Sequence, residues 1–402
     1  MFSPSFFIIG ILCYNLQEGS IKEMKKKYLI SLITILSISL LLIIISLFEN
    51  ASDWWSLNIS QTYITIVGII TNFLPFSLFE VTVIFLVLFA ISLIIKFIFS
   101  LFSKNKKIIL KRLYNVFLFA ISIVLSYTAI AGIAYKRSKV DIIQYEGEIT
   151  PALVSDTITY YLDDYNKVAS SLPRDENNVV ISPYSFDELS LLLQKEMDKL
   201  DSPYFYKHTG KPKSTFFSPI LSELHITGIN FAFTSEANVN TSMPWVDLPF
   251  TMGHELAHLK GVMREDDANL VSLYVLLNSD DPFLRYSAYF RSFSRLLEIK
   301  QLTNYKEYEY FVNQMNPYIF TDNGYYNKYF IDHDMLSKIA DFMNNIYLMF
   351  NGQKEGTNSY VDKSEYDDSG KKDDDGHTIY TYTSYSPYQK LMIAHYLNMT
   401  SR

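Results

Sequence analysis

The sequence predicts a protein in two parts: an α-helical transmembrane bundle of about three spans, then an α+β, mostly helical domain carrying a metal motif. Three observations lead there. Long apolar stretches are confined to the first third of the chain, and the composition turns polar from about residue 140. Basic residues cluster at alternating ends of those stretches. Deep in the polar part stands Gly253-His254-Glu255-Leu256-Ala257-His258, followed by Glu265-Asp266-Asp267-Ala268-Asn269.

Composition agrees with a mixed protein. Of 402 residues, 49% are hydrophobic and 16% aromatic, and mean hydropathy is slightly above zero. That is high for a soluble enzyme and low for a polytopic transporter. A net charge of −7 points away from nucleic acid as a partner. The single cysteine, Cys13, excludes an internal disulfide framework and a cysteine-based zinc site. A metal must therefore be held by histidine and carboxylate.

Residues 1–23 contain only a short apolar run, Phe6 to Leu12, too brief to cross a bilayer. At Met24 the sequence restarts with Lys25-Lys26-Lys27 ahead of a long apolar stretch, the usual beginning of a membrane-inserted chain. Met24 is thus the expected start, residues 1–23 being an upstream mis-start or a cytoplasmic tail; a peptide from residues 1–23 in the natural protein would sink this. The membrane part is expected over residues 24–139. Its spans are predicted at 29–48, about 78–99 and about 113–135. Residues 63–74, broken by Gly68 and Asn72 and followed by Pro75, are expected to be interfacial or re-entrant. Trp54 and Trp55 fit an interfacial belt.

Charge sets the orientation. Lys25–Lys27 precede the first span, and Lys104, Lys106, Lys107, Lys111 and Arg112 lie between the second and third. No Lys or Arg lies between the first two spans. The positive-inside rule then places residues 140–402 outside the cytoplasm. Lys136, Arg137 and Lys139 weigh mildly against this orientation.

In the polar domain, 153–170 reads as a helix, and Ser185-Phe186-Asp187-Glu188 as a capping box opening a helix to about residue 200. Residues 201–216 read as loop. His225 to Thr234 alternates and is rich in β-branched and aromatic residues, predicting a strand or hairpin ahead of the metal helix. A strand there would be the cleft edge on which a peptide can add as a further strand. Beyond Glu265 the chain reads as helical to about residue 350. Residues 363–376, rich in Lys, Asp, Ser and Gly, are expected to be a flexible charged loop, and the last helix is expected near 388–398.

His-Glu-x-x-His places His254 and His258 one helical turn apart on one face, where two imidazoles can take two corners of a tetrahedral Zn²⁺ site. Glu255, turned about 100° away, can reach a metal-bound water. The pentapeptide also occurs in ordinary exposed helices, so its context decides. Gly261 begins the longer metzincin pattern, but the place of its third histidine is held by Arg264, which cannot ligate. Glu265 is the favoured third ligand, with Asp266 and Asp267 as alternatives. Asn269, or Asp266, would support a liganding imidazole from behind. The bland reading of this acidic cluster is a helix N-terminus matched to its macrodipole. The short gap requires a sharp turn at Gly261.

The mechanism expected is hydrolysis by a zinc-activated water with Glu255 as general base. Tyr360, His333 and Arg291 are the candidates for stabilising the oxyanion, and the sequence does not choose among them. Glu236 and Asn240 are further candidates for the cleft. An intramembrane site is excluded, because Lys260, Arg264 and Glu265–Asp267 would then sit unpaired in lipid at a cost of several kcal/mol.

From about residue 28 to 362 the chain resembles the bacterial family called domain of unknown function 3810. Four blocks carry the resemblance: Leu74-Pro75-Phe76-Ser77-Leu78-Phe79-Glu80; Phe233-Thr234-Ser235-Glu236-Ala237-Asn238-Val239-Asn240; Leu248 through His258 with Arg264 to Asn269; and Gly352 through Tyr360. The resemblance implies a membrane-anchored, gluzincin-like zinc peptidase with several N-terminal spans. It supplies no substrate, and the stretch after residue 362 departs from the pattern. The function expected is thus a zinc metallopeptidase in the cell membrane, multi-pass, acting on peptides or proteins of the cell envelope. The alternatives are a non-catalytic sensor or scaffold with a structural metal, or a zinc hydrolase of a non-peptide envelope bond.

Overall fold

The computed structural model describes residues 22–103, 105–142 and 144–401; Cys13 and nearly all of the expected 1–23 tail lie outside the described residues. Among the described residues three helices are long and apolar enough to cross a membrane: α1 (Lys22–Ser46), α4 (Leu78–Leu101) and α5 (Lys106–Ile130). The last of these begins earlier than the sequence suggested and ends at Ile130 rather than 135. Asn105 caps its start by accepting from the Lys107 N–H at 3.0 Å, and a 3₁₀ turn, Gly132–Lys136, follows its end.

The connection between the first two apolar helices is folded throughout. It runs through α2 (Glu49–Trp55), a π-helical turn (Ser56–Ser60) and α3 (Gln61–Asn72). The segment expected as interfacial or re-entrant is thus a helix packed under the second part of the chain. Ser235 donates to the Ile64 carbonyl at 2.8 Å, and Tyr63 donates to the Phe233 carbonyl at 2.7 Å.

The second part is mostly helical. It begins with α6 (Pro151–Ser171) and α7 (Phe186–Met197), the latter opened by the Ser185–Glu188 capping box. A three-stranded sheet follows, containing β1 (Lys213–Ser214), β2 (Gly228–Phe231) and β3 (Glu236–Val239), with a short helix, α8 (Ser218–Glu223), between β1 and β2. The strand order is β1-β3-β2; β1 runs parallel to β3 and β2 antiparallel to it. β2 lies within the stretch expected as a strand or hairpin, β3 just beyond it, and β1 in the stretch expected as loop.

Next come α9 (Leu248–Leu259), α10 (Glu265–Leu277), α11 (Pro282–Thr303), α12 (Tyr305–Asn313), α13 (Pro317–Asp332) and α14 (Ser337–Phe350). Residues 363–376 do not form the expected loop. They build most of a β-hairpin, β4 (Glu365–Lys372) and β5 (Thr378–Ser384). The Asp373 carboxylate accepts from the Asp375 and His377 N–H groups and closes the turn. Tyr366 packs on Tyr380 and Tyr382 across the strands. All of β4 but Ser369 is exposed, so its charges stay in water. The chain closes with α15 (Pro387–Thr400).

The main core gathers α6, α7, α9, α10, α11 and α15. Every residue of α9 is buried, as befits a helix apolar on most sides. Gly253 lets α10 approach it: a Cβ there would lie 2.4 Å from the Ser272 hydroxyl. Ser272 donates to the Phe250 carbonyl at 2.8 Å.

The two parts interlock at the head of α4. Glu236 accepts the free N–H groups of Leu78 (3.1 Å) and Phe79 (2.7 Å), capping α4 from another element. Lys213 donates to Glu236 at 2.7 Å and to the carbonyls of Thr71 and Phe76. Arg137, just past the 3₁₀ turn, is only 2% exposed. It pairs with Asp53 at 3.1 Å and donates to the carbonyls of Gly261 and Tyr204. Its charge is thus neutralised and hydrogen-bonded inside the protein.

Candidate metal site

The metal motif lies on α9, and the turn after it brings the third acid back. Lys260 caps the helix and Gly261, at φ +85°, is the left-handed residue beyond it. The Val262 N–H returns to the Ala257 carbonyl (3.1 Å) and the Gly261 N–H to that of His258 (3.0 Å), a Schellman motif. A Cβ on Gly261 would press within 2.5 Å of the Tyr206 ring, so conformation and space both demand glycine. Four residues after Gly261, Glu265 opens α10, where the helix dipole favours a carboxylate.

His254, His258 and Glu265 converge, all three buried, their ligand atoms within 4.8 Å of one another. The Glu265 Oε2 stands 3.1 Å from the His254 Nε2 and 3.4 Å from the His258 Nε2. The other ring nitrogens are engaged. His258 donates through Nδ1 to the Val262 carbonyl at 2.7 Å. His254 Nδ1 meets the Asn269 Oδ1 at 2.8 Å, an amide orientation set by the Asn269 Nδ2 donating to the Tyr360 carbonyl. With both Nδ1 atoms engaged, the two Nε2 atoms face the same Glu265 Oε2, and neutral imidazoles so placed would offer their lone pairs to a cation. A cation fits that gap, and the donor set suits one.

Without a cation, the histidines and Glu265 balance one another's charge. Burial works against the charged imidazole of His258, yet the Glu265 carboxylate beside it lifts its pKa to about 9. Burial also opposes the charge on Glu265, but His258 and His254 draw it down to about 2. In the metal-free chain the His258 imidazolium is thus the counter-charge of Glu265, a place that a cation could take.

Glu255 stands next to this group. Its pKa is raised by burial, with His254 and His258 pulling the other way. It accepts the backbone N–H of Asn230 on β2, while its Oε2 has no partner. Gly228, also on β2, makes the approach possible, since a Cβ there would lie 2.5 Å from the Glu255 Oε1. β2 is thus pressed against the carboxylate beside the metal group, and its second edge carries no strand among the described residues.

The remaining candidates separate. Tyr360 is at the site: its ring lies 6.3 Å from that of His254, and burial, with the Glu265 charge, pushes its phenol well above the usual range, so it keeps its proton. His333 is bound to the Tyr329 carbonyl at 2.8 Å, at the end of α13. Arg291 pairs with Asp247 at 3.4 Å and donates to Tyr326 at 2.8 Å. It lines a cavity of about 230 Å³ with Arg295, Tyr326, Tyr360, Asp362 and Tyr388. Asp266 is exposed and supports neither imidazole. Asp267 pairs with Arg264, which also donates to the Arg137 and Ser138 carbonyls. Glu236 and Asn240 do not line the cleft; Glu236 caps α4, and Asn240 donates to Ser222 and the Ile226 carbonyl.

Sequence reasoning missed Gly228 and Asn230, and it missed Tyr347, whose hydroxyl meets those of Tyr127 (2.6 Å) and Tyr135 (3.2 Å). The charges of Glu265 and Glu255 both bear on Tyr347. With 31 tyrosines in the chain, no local signal singles it out.

A family model described as Protein of unknown function (DUF3810) matches residues 55–364. The match begins after α1, later than the expected reach from about residue 28, and it includes the whole metal group. No curated protein and no solved structure matches the chain.

Proposed function

Because the chain belongs to the family described as Protein of unknown function (DUF3810), a membership that assigns no reaction, we propose from its own site that it is a membrane-anchored zinc metallopeptidase with a zincin-like, gluzincin-type ligand set. One observation carries the reading: the unpartnered Glu265 Oε2 faces the Nε2 atoms of His254 and His258, with Glu255 and its own unpartnered oxygen alongside. Two imidazoles and one carboxylate are a usual set for a catalytic zinc, which keeps a further position open. Bound there, Zn²⁺ would act as a Lewis acid on a scissile carbonyl and acidify a water.

The protein's own groups supply the rest. Glu255, held by the Asn230 N–H and raised by burial, takes the proton of the attacking water and passes it to the leaving amine. Tyr360, still protonated beside His254, is positioned to donate to the developing oxyanion. The free edge of β2 is where a substrate strand would pair. In this reading Lys106, Lys107, Lys111 and Arg112, at the start of α5, stay in the cytoplasm by the positive-inside rule, and the site, linked through Tyr347 to Tyr127 at the other end of that helix, lies outside it.

The test uses the full-length protein in detergent, because α3 and the head of α4 are built into the second part. Metal analysis should return about one zinc per chain. A peptide library should be cleaved, and Glu255→Gln should keep the zinc while losing cleavage by about 10²–10⁴-fold. Zinc bound without cleavage of any peptide would instead support a structural metal site, and absence of zinc would defeat the proposal.

A further inference from the structure

α14 has two unlike faces. One turns inward: Leu348 is fully buried, and the Asn344 amide reaches the Tyr360 hydroxyl at 3.5 Å. The other carries Ile339, Phe342, Met343, Ile346, Met349 and Phe350, each between 49% and 67% exposed. These positions recur at helical spacing and form one continuous apolar stripe. A stripe of that size is not left to water in a stable protein.

Its position says what covers it. The Tyr347 hydroxyl meets that of Tyr127, in the last turn of α5. Lys136, just past α5, donates to the Asn351 carbonyl at the end of α14, at 2.9 Å. α14 is therefore pinned where the third apolar helix ends, and its stripe continues that helix's own apolar surface. A second exposed patch lies by the head of α4. There Phe216 is 87% exposed beside Phe217, whose N–H binds Glu80 of α4.

β2 links these surfaces to the metal group. At one end Gly228 and Asn230 touch Glu255. At the other, the Phe231 ring packs 4.9 Å from that of Phe79 on α4, and the Phe233 ring lies 6.5 Å from that of Tyr127. A chain lying along the free edge of β2 therefore runs between the metal group and the heads of two apolar helices.

We infer that α14 lies in the bilayer interface and that the site takes polypeptides anchored in the same membrane, entering along β2 from the lipid side. The substrate half rests on the peptidase reading; the placement of α14 does not.

The experiment places full-length protein in vesicles of phosphatidylcholine and phosphatidylglycerol. In a Cys13→Ser background, an environment-sensitive fluorophore is attached at Phe342→Cys or, on a polar position of the same helix, at Asp341→Cys. Brominated lipids should quench the label at 342 and spare that at 341. A label at 342 that stays in water, or that cross-links copies of the chain, would overturn the placement. The same vesicles are then given one peptide sequence, either free or carrying an acyl anchor. The anchored peptide should be cut about 10²-fold faster at equal bulk concentration. Phe342→Asp with Ile346→Asp should erase most of that advantage while keeping zinc content and free-peptide cleavage. Equal rates for the two peptides would overturn the substrate half. A zinc-loaded protein that cuts neither peptide, with position 342 still quenched, overturns the peptidase reading and leaves the interfacial helix standing.

Discussion

Two buried carboxylate clusters flank the same β-hairpin, and they are built in opposite ways. At the head of α4, Glu236 receives four donors: the Leu78 and Phe79 N–H groups, the Lys213 ammonium and the Thr234 hydroxyl. Lys213 in turn spends its other protons on two backbone carbonyls. Across the hairpin, Glu265 and Glu255 each keep an oxygen without a donor, and the nearest groups to Glu265 are two imidazole nitrogens. The first cluster is complete within the chain and serves as a rivet. The second is a group that could hold a cation, the feature on which the proposed function rests. Burial alone does not separate architecture from chemistry; satisfaction of the buried atoms does.

Substitutions can break this comparison. The largest effect on stability is expected from Glu236→Gln, which leaves the Lys213 charge buried without a counter-ion. It should cost about 3–5 kcal/mol, seen as a lowered thermal midpoint of the full-length protein. If Glu236→Gln unfolds with the wild type, the rivet reading is wrong. At the other cluster, Gly228→Ala pushes a methyl onto Glu255 without touching a ligand. Its cleavage rate should fall by up to about 10²-fold with zinc content and thermal midpoint near those of the wild type; loss of zinc would show that β2 supports the ligands rather than the base. The smallest effect is expected from Asn269→Ala. Removing the acceptor behind His254 should weaken zinc affinity about 10–100-fold, measured by competition with a chromogenic chelator. An unchanged affinity would reduce Asn269 to a packing role.

How much was legible beforehand differs between these clusters. His254, His258 and Glu265 could be placed together because their geometry is local: one helical turn, a glycine that allows a left-handed cap, and a helix start. Asn269 follows from the same logic, one turn along α10. Glu236 could not be read. Its partners lie 23 residues away at Lys213 and 158 and 157 residues away at Leu78 and Phe79, and no period or spacing links them. The blocks 74–80 and 233–240 nevertheless both stood out in the family resemblance, and the reason is now physical, since they dock on each other. The error at 363–376 has the same origin. Composition recorded many charges, while the cross-strand tyrosines and the Asp373 turn that order them depend on pairing with β5.

By itself the sequence determined three stretches long and apolar enough to cross a membrane, and the placement of His254, Glu255 and His258 together on one helix, because hydropathy and helical period act over neighbouring residues. Only the tertiary structure decided that β2 presses on Glu255 and that Tyr360 sits beside His254 while His333 and Arg291 are held by other partners. It alone decided that α14 presents an apolar face where α5 ends. Those facts depend on which distant surfaces meet, and a buried polar group or an apolar stripe acquires its meaning from what it is packed against.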